Sequence, residues 1–439
     1  MTPRRTFLKQ SAVIGTALNS TVTNASQQEV IPIALIGCGG QGTNLLSNFL
    51  KIPGIKVQYV CDPDEKRAQS TADRVIKSGH NAPKIVSDLR RVLEDPTIQA
   101  VIVATPDHWH APASILACDS GKHVYVEKPC SHNILEGRLL VESASRNKRL
   151  VQHGTQSRSM ELIRHAISHL HQGVIGKVLF AKAFNIQKRA DIGHSKPSNP
   201  PEGFDYDLWT GPAPKVPFQS NRHHYTWHWW HDFGTGDMGN DGVHELDIAR
   251  WGLGVTSHPN RVAAIGGKYY FDDDQQFPDT QNVLFEYKPD SQSIDPKQLM
   301  FEMRIWSPYS PDQGIENGNI FYGTEGWMLL SKKGIVKVFD KKNKAIELPG
   351  NPEAHESHQM NFIEAIRNKK SLSAPIEIGH ISASLCHLGN ISTRLGRSLE
   401  FNPAKESFVN DIEANALLTR KYRDAHWAIP KGVWHSKTR

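Results

Sequence analysis

The chain has 439 residues, of which 38% are hydrophobic and 22% are charged, and its formal net charge is +6. A chain of this length and composition is long enough for two globular domains with their own cores. The basic residues form no Lys/Arg tract and no nucleic-acid-binding motif occurs, so we expect no nucleic-acid partner. The five cysteines include no Cys-x-x-Cys pair, which argues against a disulfide framework and against a thiolate metal site.

The first 28 residues differ in character from the rest of the chain. Arg4 and Arg5 open the stretch RRTFLK, and a weakly apolar run with small residues near Ala25 follows. This order is typical of a twin-arginine export signal, with a disordered basic tail as the alternative. The apolar run is too short and too polar to span a bilayer. We therefore expect a periplasmic or otherwise exported protein without a membrane span, whose folded part begins at about residue 29.

The folded part begins with an apolar strand over residues 31–36, which runs into a Gly-x-Gly-x-x-Gly turn and then a helix. Glycines let the backbone approach a pyrophosphate, and the helix N-terminus offers it unpaired N–H groups. A second strand ends at Asp62, at the spacing where a carboxylate binds the ribose hydroxyls and repels a 2′-phosphate. The pattern predicts a dinucleotide site that prefers NAD(H) to NADP(H). Its candidate contacts in the turn are Gly37, Gly39, Gly40, Gln41 and Gly42.

Strands and helices continue to alternate as far as residue 156. Candidate helices over 64–79, 88–95, 111–121 and 134–148 separate apolar strands, which predicts a doubly wound parallel sheet over residues 29–156. Ligands of such sheets lie beyond the carboxyl ends of the strands, where the segments TPDHWH and EKP occur. The further candidate cofactor contacts are therefore Thr105, Pro106, His108, Trp109, His110, Glu127 and Lys128.

A polar cluster marks the start of a predicted helix in the stretch GTGDMGNDGVHELDIARWG, which begins at residue 234. Asn240, His244 and Asp247 share one face of this helix. Asp241 and Glu245 fall elsewhere, so we expect them to cap the helix or to face solvent. The shared face is a poor ligand set for a metal, and we expect none there. A buried structural network and a proton-transfer site both remain open, and His has a suitable pKa for the latter.

The pieces GCGGQG, VCD, ATPDHWH, EKP and the Gly-x-His-x-x-Asp helix occur in an order that resembles the Gfo/Idh/MocA oxidoreductases. The resemblance covers the chain after the signal segment. It implies an α/β protein with an N-terminal Rossmann domain and, over residues 157–439, a C-terminal α+β domain with an open, mostly antiparallel sheet. It also implies that this sheet joins copies of the chain into a homo-oligomer. Candidate strands over 177–186, 261–271, 280–288, 299–306, 326–330 and 334–340 are compatible with such a sheet.

The resemblance also assigns catalytic roles to Lys128 and His244, but one position departs from the family pattern. Inositol dehydrogenase-like members carry Asp four residues before the motif His, whereas this chain has Asn240. A neutral amide cannot accept a proton as a carboxylate does. Asp237 is a candidate to replace that carboxylate, and the identity of the base stays open. The candidate catalytic residues are Lys128, His244, Asn240 and Asp237.

Aromatic residues cluster in a Pro-rich excursion over residues 194–222 and in its continuation. Aromatic faces stack on the C–H faces of sugar rings, although such rings also form cores and subunit interfaces. An arginine just past the last parallel strand is a candidate for holding substrate or cofactor. The candidate substrate contacts are Arg158, Tyr225, Trp227, Asp241 and His244.

These features favour an NAD(P)-dependent oxidoreductase that transfers hydride at a secondary alcohol of a sugar or sugar derivative. An exported protein meets little free NAD, so we expect the nicotinamide cofactor to be tightly bound. One alternative is an NAD-dependent glycoside-cleaving enzyme, hydrolase or lyase, that oxidises the sugar transiently, as some exported relatives of the family do. The other is a non-enzymatic module that binds NAD or sugar.

Overall fold

The computed structural model describes residues 29–288, 295–309 and 314–433. The predicted export signal lies outside these ranges. No helix within them has both the length and the apolar character that a membrane span needs.

The N-terminal part is a parallel six-stranded sheet. Its strands are β1 Ile31–Ile36, β2 Ile55–Cys61, β3 Lys84–Val86, β4 Ala100–Val103, β5 His123–Val126 and β6 Val151–His153. Its helices are α1 Gly40–Phe49, α2 Glu65–Lys77, α3 Arg90–Leu93, α4 Asp107–Asp119 and α5 Ile134–Arg146. The strand order β3-β2-β1-β4-β5-β6 is that of a Rossmann fold. Helices α1 and α2 pack on one face and α3, α4 and α5 on the other, because these apolar strands are buried on both sides.

The rest of the chain is built around a ten-stranded sheet. Its strands are β7 Val178–Ile186, β8 Arg261–Gly267, β9 Thr280–Tyr287, β10 Lys297–Arg304, β11 Asn317–Gly323, β12 Gly326–Ser331, β13 Ile335–Asp340, β14 Ala345–Ile346, β15 Leu399–Asn402 and β16 Ser407–Phe408. The order is β14-β13-β12-β11-β7-β10-β9-β8-β15-β16, and among the described strands of this sheet only β7 and β10 pair in parallel. The predicted fold class, an α/β protein with a second, mostly antiparallel sheet, is therefore confirmed.

Six helices accompany this sheet in the described part of the chain. They are α6 Glu161–His171, α7 Tyr206–Thr210, α8 Val243–Leu253, α9 His358–Asn368, α10 Ile376–Leu395 and α11 Ile412–Ala416. Helix α8 lies close to the sheet because glycines face it. A Cβ at Gly242 would lie 2.5 Å from the Phe301 ring, and one at Gly252 would overlap the Phe321 ring. This close approach fixes the height of α8, and therefore of His244, above the sheet.

The late helices return to the N-terminal sheet. Phe362 of α9 packs in the same core cluster as Phe49 and Tyr125, with ring centroids 6.3 Å and 5.9 Å away. Strand β11 was not among the predicted strands. Its sequence NGNIFYG is rich in Gly and Asn, which are depleted in strands, and it is held by pairing with β7 and β12 on both sides.

Candidate active site

A cavity of 660 Å³ lies at the carboxyl ends of the parallel strands, between the N-terminal sheet and α8. Its volume is typical of a ligand site. Its wall contains sixteen of the residues that the sequence nominated. They are Gly37, Gly39, Gly40, Gln41, Asp62, Thr105, Pro106, Trp109, His110, Glu127, Lys128, Tyr225, Trp227, Asn240, Asp241 and His244. The remaining four, Gly42, His108, Arg158 and Asp237, lie outside the wall.

The glycine turn after β1 forms a bare backbone cradle in this cavity. Gly37 has φ +97°, and a Cβ there would lie 2.5 Å from the carbonyl of Ala104, so only glycine fits. Gly42 lies behind the cradle, where a side chain would overlap the Gly37 carbonyl oxygen. Gly40 has no atom within 4 Å of a Cβ position, and Gly39 has only the end of the Arg67 side chain at 3.2 Å. A pyrophosphate fits such a cradle at the N-terminus of α1.

Asp62 is oriented by the backbone at the end of β2. Its carboxylate accepts hydrogen bonds from the amides of Cys38, at 2.6 Å, and Asp64, at 2.9 Å. Burial raises the pKa of Asp62 to about 6, although these two hydrogen bonds and the Arg67 charge act in the other direction. The carboxylate keeps free lone pairs on the cavity side of the turn, as the ribose hydroxyls of a dinucleotide require. The cradle and Asp62 together fit a nicotinamide dinucleotide.

Lys128 follows β5 and links the two halves of the cavity. Its Nζ donates a hydrogen bond of 2.6 Å to the carbonyl oxygen of Asn240, in the turn before α8. The neighbouring Glu127 is buried, accepts from Gln41 Nε2 at 2.9 Å, and has a pKa raised by burial. The ammonium group of Lys128 thus stands at the cavity wall directly against the segment that carries His244.

His244 lies in the first turn of α8 and is buried. Its Nδ1 has no hydrogen-bond partner in the described part of the chain. Burial, followed by the positive charges of Lys332 and Lys128, lowers the pKa of His244 well below its usual value. The imidazole is therefore neutral at pH 7 and can accept a proton from a hydroxyl in the cavity.

A π-helical turn, Met238–Gly242, precedes α8 and changes which residues face the cavity. Such a turn inserts an extra residue into the helical ladder and occurs frequently at functional sites. Asn240 and Asp241 consequently both line the cavity. The regular helix that the sequence predicted here placed only Asn240 on the His244 face.

The expectation that Asp241 and Glu245 cap the helix or face solvent was wrong. Glu245 is fully buried, and the Asp241 side chain is only 20% exposed. The reason is Lys332, just after β12, whose Nζ lies 2.8 Å from Asp241 Oδ1 and 3.0 Å from Glu245 Oε1. Burial opposes ionisation of Asp241, but the charge and hydrogen bond of Lys332, together with His244 and the Lys128 charge, outweigh it and lower the pKa of that carboxyl. Asp241 is therefore an ionised acceptor at the cavity wall.

Two family models together match most of the chain. The one described as "Oxidoreductase family, NAD-binding Rossmann fold" matches residues 31–155. The one described as "Oxidoreductase family, C-terminal alpha/beta domain" matches residues 177–290 and 316–429. The chain belongs to the Gfo/Idh/MocA family.

Sequence and structure relatives agree with this assignment. A Saccharopolyspora erythraea protein named "Glycosyl hydrolase family 109 protein" is 29% identical over 219 residues, which are 44% of this chain and 48% of that protein. The match thus spans less than half the length of this relative. GenD2 from gentamicin A biosynthesis, in complex with NAD, superposes with a TM-score of 0.62 at 18% identity over 86% of this chain and 97% of that chain. An aldose-aldose oxidoreductase from Caulobacter crescentus superposes with a TM-score of 0.64 at 16% identity, over 85% of this chain and 100% of that chain. Likenesses at these identities show the fold.

The position at which this chain departs from the Gfo/Idh/MocA pattern is held by hydrogen bonds. Asn240 Nδ2 donates to Asp237 Oδ1 at 2.8 Å and to the Tyr225 hydroxyl at 3.3 Å. Asp237 is fully buried behind the wall and also accepts from Asn185 and Arg189, at 2.9 Å and 3.1 Å. Its oxygens are occupied by donors, so Asp237 orients Asn240 and has no open path to a ligand in the cavity.

Arg158 and His108, which the sequence nominated as ligand contacts, have protein partners. Arg158 donates two hydrogen bonds, of 2.8 Å and 2.9 Å, to the carboxylate of Asp247 on the His244 helix face. His108 Nε2 lies 2.9 Å from the Trp209 carbonyl oxygen, and burial lowers the pKa of its ring to about 3. Both side chains brace the elements around the cavity.

The aromatic excursion divides between wall and core. Phe218 and Trp230 belong to a separate apolar cluster, and Trp209 belongs to that cluster and also lines the cavity. Tyr225, which is 50% exposed, and Trp227, whose ring stacks on His228 at 3.6 Å, line the cavity. The sequence could not separate these two groups, because both uses enrich aromatic residues.

Several wall residues were not nominated from the sequence. Gln187 and Arg189 follow β7, and Arg67 lies in the first turn of α2. Trp427 comes from the C-terminal end of the described chain. Gln187 and Arg189 come just after a predicted strand, and this position was the sequence signal that could have nominated them. The neighbouring sequence does not indicate which strand end lies at the Rossmann cavity.

Proposed function

We propose that this protein is an oxidoreductase that holds NAD(H) and acts at a secondary alcohol of a sugar or sugar derivative. The observation that supports the proposal is the single cavity that Lys128 and His244 share with the glycine cradle and Asp62. A cation and a neutral imidazole at one end of a dinucleotide-shaped cavity suit the removal of a hydroxyl proton.

A bound nicotinamide would supply hydride transfer at the carbon that bears the hydroxyl. The protein's own part is proton transfer and orientation. Neutral His244 accepts the hydroxyl proton, and the Lys128 ammonium polarises the same oxygen by donating to it. The oxygens of ionised Asp241 already accept from Lys332, Gln187 and Asn317, so Asp241 acts through its negative charge, which favours the imidazolium that His244 becomes when it takes the proton. Tyr225 and Trp227 provide the apolar surface that sugar rings stack on.

The preference for NAD over NADP rests on Asp62. A carboxylate held at the ribose position by two backbone amides repels a 2′-phosphate. Arg67 lines the same region, but its charge is compensated in part by Asp64, 3.9 Å away. We further propose export to the periplasm by the twin-arginine route, which carries folded proteins, and retention of the cofactor through the catalytic cycle.

Mass spectrometry of the small molecules released from the denatured protein tests the cofactor proposal. We expect NAD or NADH in an amount close to one per chain. A carbohydrate panel followed at the nicotinamide absorbance then tests the substrate class, and we expect a spectral change with at least one polyol or sugar. A protein that carries no nicotinamide and gains none on incubation contradicts the proposal.

A second candidate function is glycoside cleavage with catalytic NAD, and it is favoured by the relative named as a glycosyl hydrolase family 109 protein. Hydride transfer from the carbinol carbon to NAD would give a ketone, which acidifies the neighbouring C–H. Loss of that proton would expel the glycosidic alcohol, and addition of water with return of the hydride would leave a hydrolysed sugar and NAD. Release of the aryl alcohol from an aryl glycoside without net formation of NADH selects this function. Net accumulation of NADH selects the dehydrogenase.

We predict that Gly39→Ala gives a folded protein that binds NADH poorly. The Gly39 backbone has φ −68°, which alanine adopts without strain, and the nearest atom to the new Cβ is the flexible end of Arg67. The methyl group keeps a pyrophosphate from the cradle amides. We expect the dissociation constant for NADH to rise at least about tenfold, because roughly one charged hydrogen bond to the pyrophosphate is lost. Calorimetric titration with NADH and NADPH measures it, and an unchanged melting temperature serves as the fold control.

We also propose that the outer face of the ten-stranded sheet pairs copies of the chain. Cross-strand register places Leu284 of β9 beside Met300 of β10, and Ile265 of β8 and Tyr322 of β11 lie exposed on this sheet. The exposed fractions are 77% for Ile265, 41% for Leu284 and 43% for Tyr322. Apolar side chains grouped on one open face mark an interaction surface.

Leu284→Asp should therefore convert an oligomer into smaller species. A charge buried between two apolar faces has no partner, so association loses its driving force. Light scattering after size exclusion measures the mass. Ile76→Asp, at an exposed position on α2, is the matched control and should leave the mass unchanged. A monomeric protein before any substitution refutes this proposal.

A further inference from the structure

The cavity extends along the carboxyl edge of the parallel sheet, with one end near β5 and the other near β3. Lys128 follows β5, whereas Ser87, Asp88 and Leu89 of the wall follow β3, four strands away. At about 4.8 Å per strand, the two ends are roughly 19 Å apart. The glycine turn after β1 and Asp62 after β2 lie between them. Because a dinucleotide places its pyrophosphate at the turn and a ribose at the acid, the end beside β3 is where its adenine would lie.

The C-terminal part of the chain closes this end. Trp427 lines the cavity, lies 5.7 Å from the Trp109 ring, and has the Arg90 guanidinium 4.5 Å over its own ring. Arg90 begins α3, immediately after Leu89. The indole of Trp427 is therefore fixed against the loop that ends the cavity, with one face covered by a cation and its position set by a second tryptophan.

The segment that carries Trp427, residues 420–428, is here called the C-terminal strap. Arg420 and the Tyr422 hydroxyl both donate to Glu136 Oε1 of α5 at 2.8 Å. Arg423 donates its backbone N–H to the Pro212 carbonyl at 3.0 Å and pairs with Asp207 at 2.9 Å. The strap thus joins α5 to the aromatic excursion and brings Trp427 to the cavity wall.

We propose that the C-terminal strap binds the adenosine half of the cofactor, with Trp427 packing against the adenine ring, and that it slows release of the dinucleotide. The inference rests on the proposed function, because it requires that the cavity bind NAD(H). It supplies a structural means by which an exported oxidoreductase would retain a cofactor that it cannot replace from its surroundings.

The first test is Trp427→Ala, with NADH and ADP-ribose as probes. ADP-ribose contains the adenosine half and lacks nicotinamide. We expect both dissociation constants to rise by the same factor, on the order of 10- to 100-fold, as for the loss of one base–aromatic stack. Trp427→Phe should recover most of the affinity. Trp327→Ala, which removes a ring stacked on Phe339 in the other sheet, is the matched control and should leave both constants unchanged.

The second test is Arg423→Ala, which loosens the strap without altering Trp427. Stopped-flow fluorescence should show NADH entering and leaving faster, about tenfold in each direction, while the dissociation constant stays within about threefold. If the wild type binds NADH but neither Trp427→Ala nor Arg423→Ala changes the affinity or the rates, the role proposed for the strap is refuted. That result leaves the proposed function unaffected. Wild-type protein that releases no nicotinamide on denaturation and binds neither probe overturns the proposed function itself.

Discussion

We expect Lys128→Met to lower turnover by two to four orders of magnitude while the protein still folds and still binds its dinucleotide, since this is the usual range for the loss of a general acid or base. Lys128 Nζ reaches the cavity wall and touches the turn that carries Asn240. Methionine keeps the length and the apolar stem of lysine but removes the ammonium group that polarises the substrate oxygen. The rate of nicotinamide reduction, divided by the bound cofactor per chain, is the measurement.

Lys128→Arg separates the two functions of the ammonium group. Arginine keeps the positive charge, but at neutral pH it does not release a proton and its planar fork has a different shape. Recovery of most of the activity by arginine means that charge alone matters, whereas no recovery means that the lysine passes on a proton. Full turnover in Lys128→Met with cofactor still bound contradicts the role proposed for Lys128. Wild-type protein that binds its cofactor and turns over no sugar favours a protein that only binds NAD or sugar.

The Rossmann half of the site could be predicted because its signals are local in sequence. The glycine turn, Asp62 and the strand ends all follow from patterns within about 25 residues, and in the structure they line one cavity. Gly42 is the one glycine of the motif that does not line the cavity. It lies behind the cradle, where it permits close packing of α1 on the turn, so one motif combines ligand contact with helix packing.

In the other half the sequence nominated several wall residues, but the contacts that position them join distant parts of the chain and could not be predicted. Lys332 reaches Asp241 and Glu245 across roughly 90 residues, and nothing in the stretch SKKG distinguishes it from its neighbour. The π-helical turn before α8 has no pattern of its own either. A regular helix placed Asn240 but not Asp241 on the His244 face, although Asp241 was also a candidate substrate contact, and the extra residue of the wider turn places both at the wall.

Trp427 is a wall residue that the sequence could not nominate. The C-terminal strap has no regular helix or strand, and its sequence resembles no ligand motif. Its place at the cavity is set by Arg420, Tyr422 and Arg423, which bind side chains and carbonyls more than 200 residues away. Tertiary contacts of this kind become visible only in three dimensions.

Lys332→Met should be the most destabilising of these substitutions, by about 3 to 5 kcal/mol at pH 8, as for other buried ion pairs that lose one partner. Lys332 compensates two carboxylates, and its side chain is only 21% exposed. Burial already raises the pKa of Glu245 to about 8, even with the Lys332 charge beside it. Without that charge, both carboxyls must be buried unpaired or take up protons. Denaturant unfolding of the variant and the wild type measures the difference.

The pH dependence of this loss has a definite sign. Removing the cation raises the folded-state pKa of Asp241 above its unfolded value and raises that of Glu245 further, so the folded variant binds more protons than the unfolded chain. Lowering the pH from 8 to 5 therefore neutralises the carboxyls and reduces the loss. Lys333→Met is the matched control, since Lys333 pairs with Glu316 at the surface and should contribute less than about 1 kcal/mol. A loss that grows at acid pH, or one no larger than that of the control, shows that Lys332 does not compensate the buried pair.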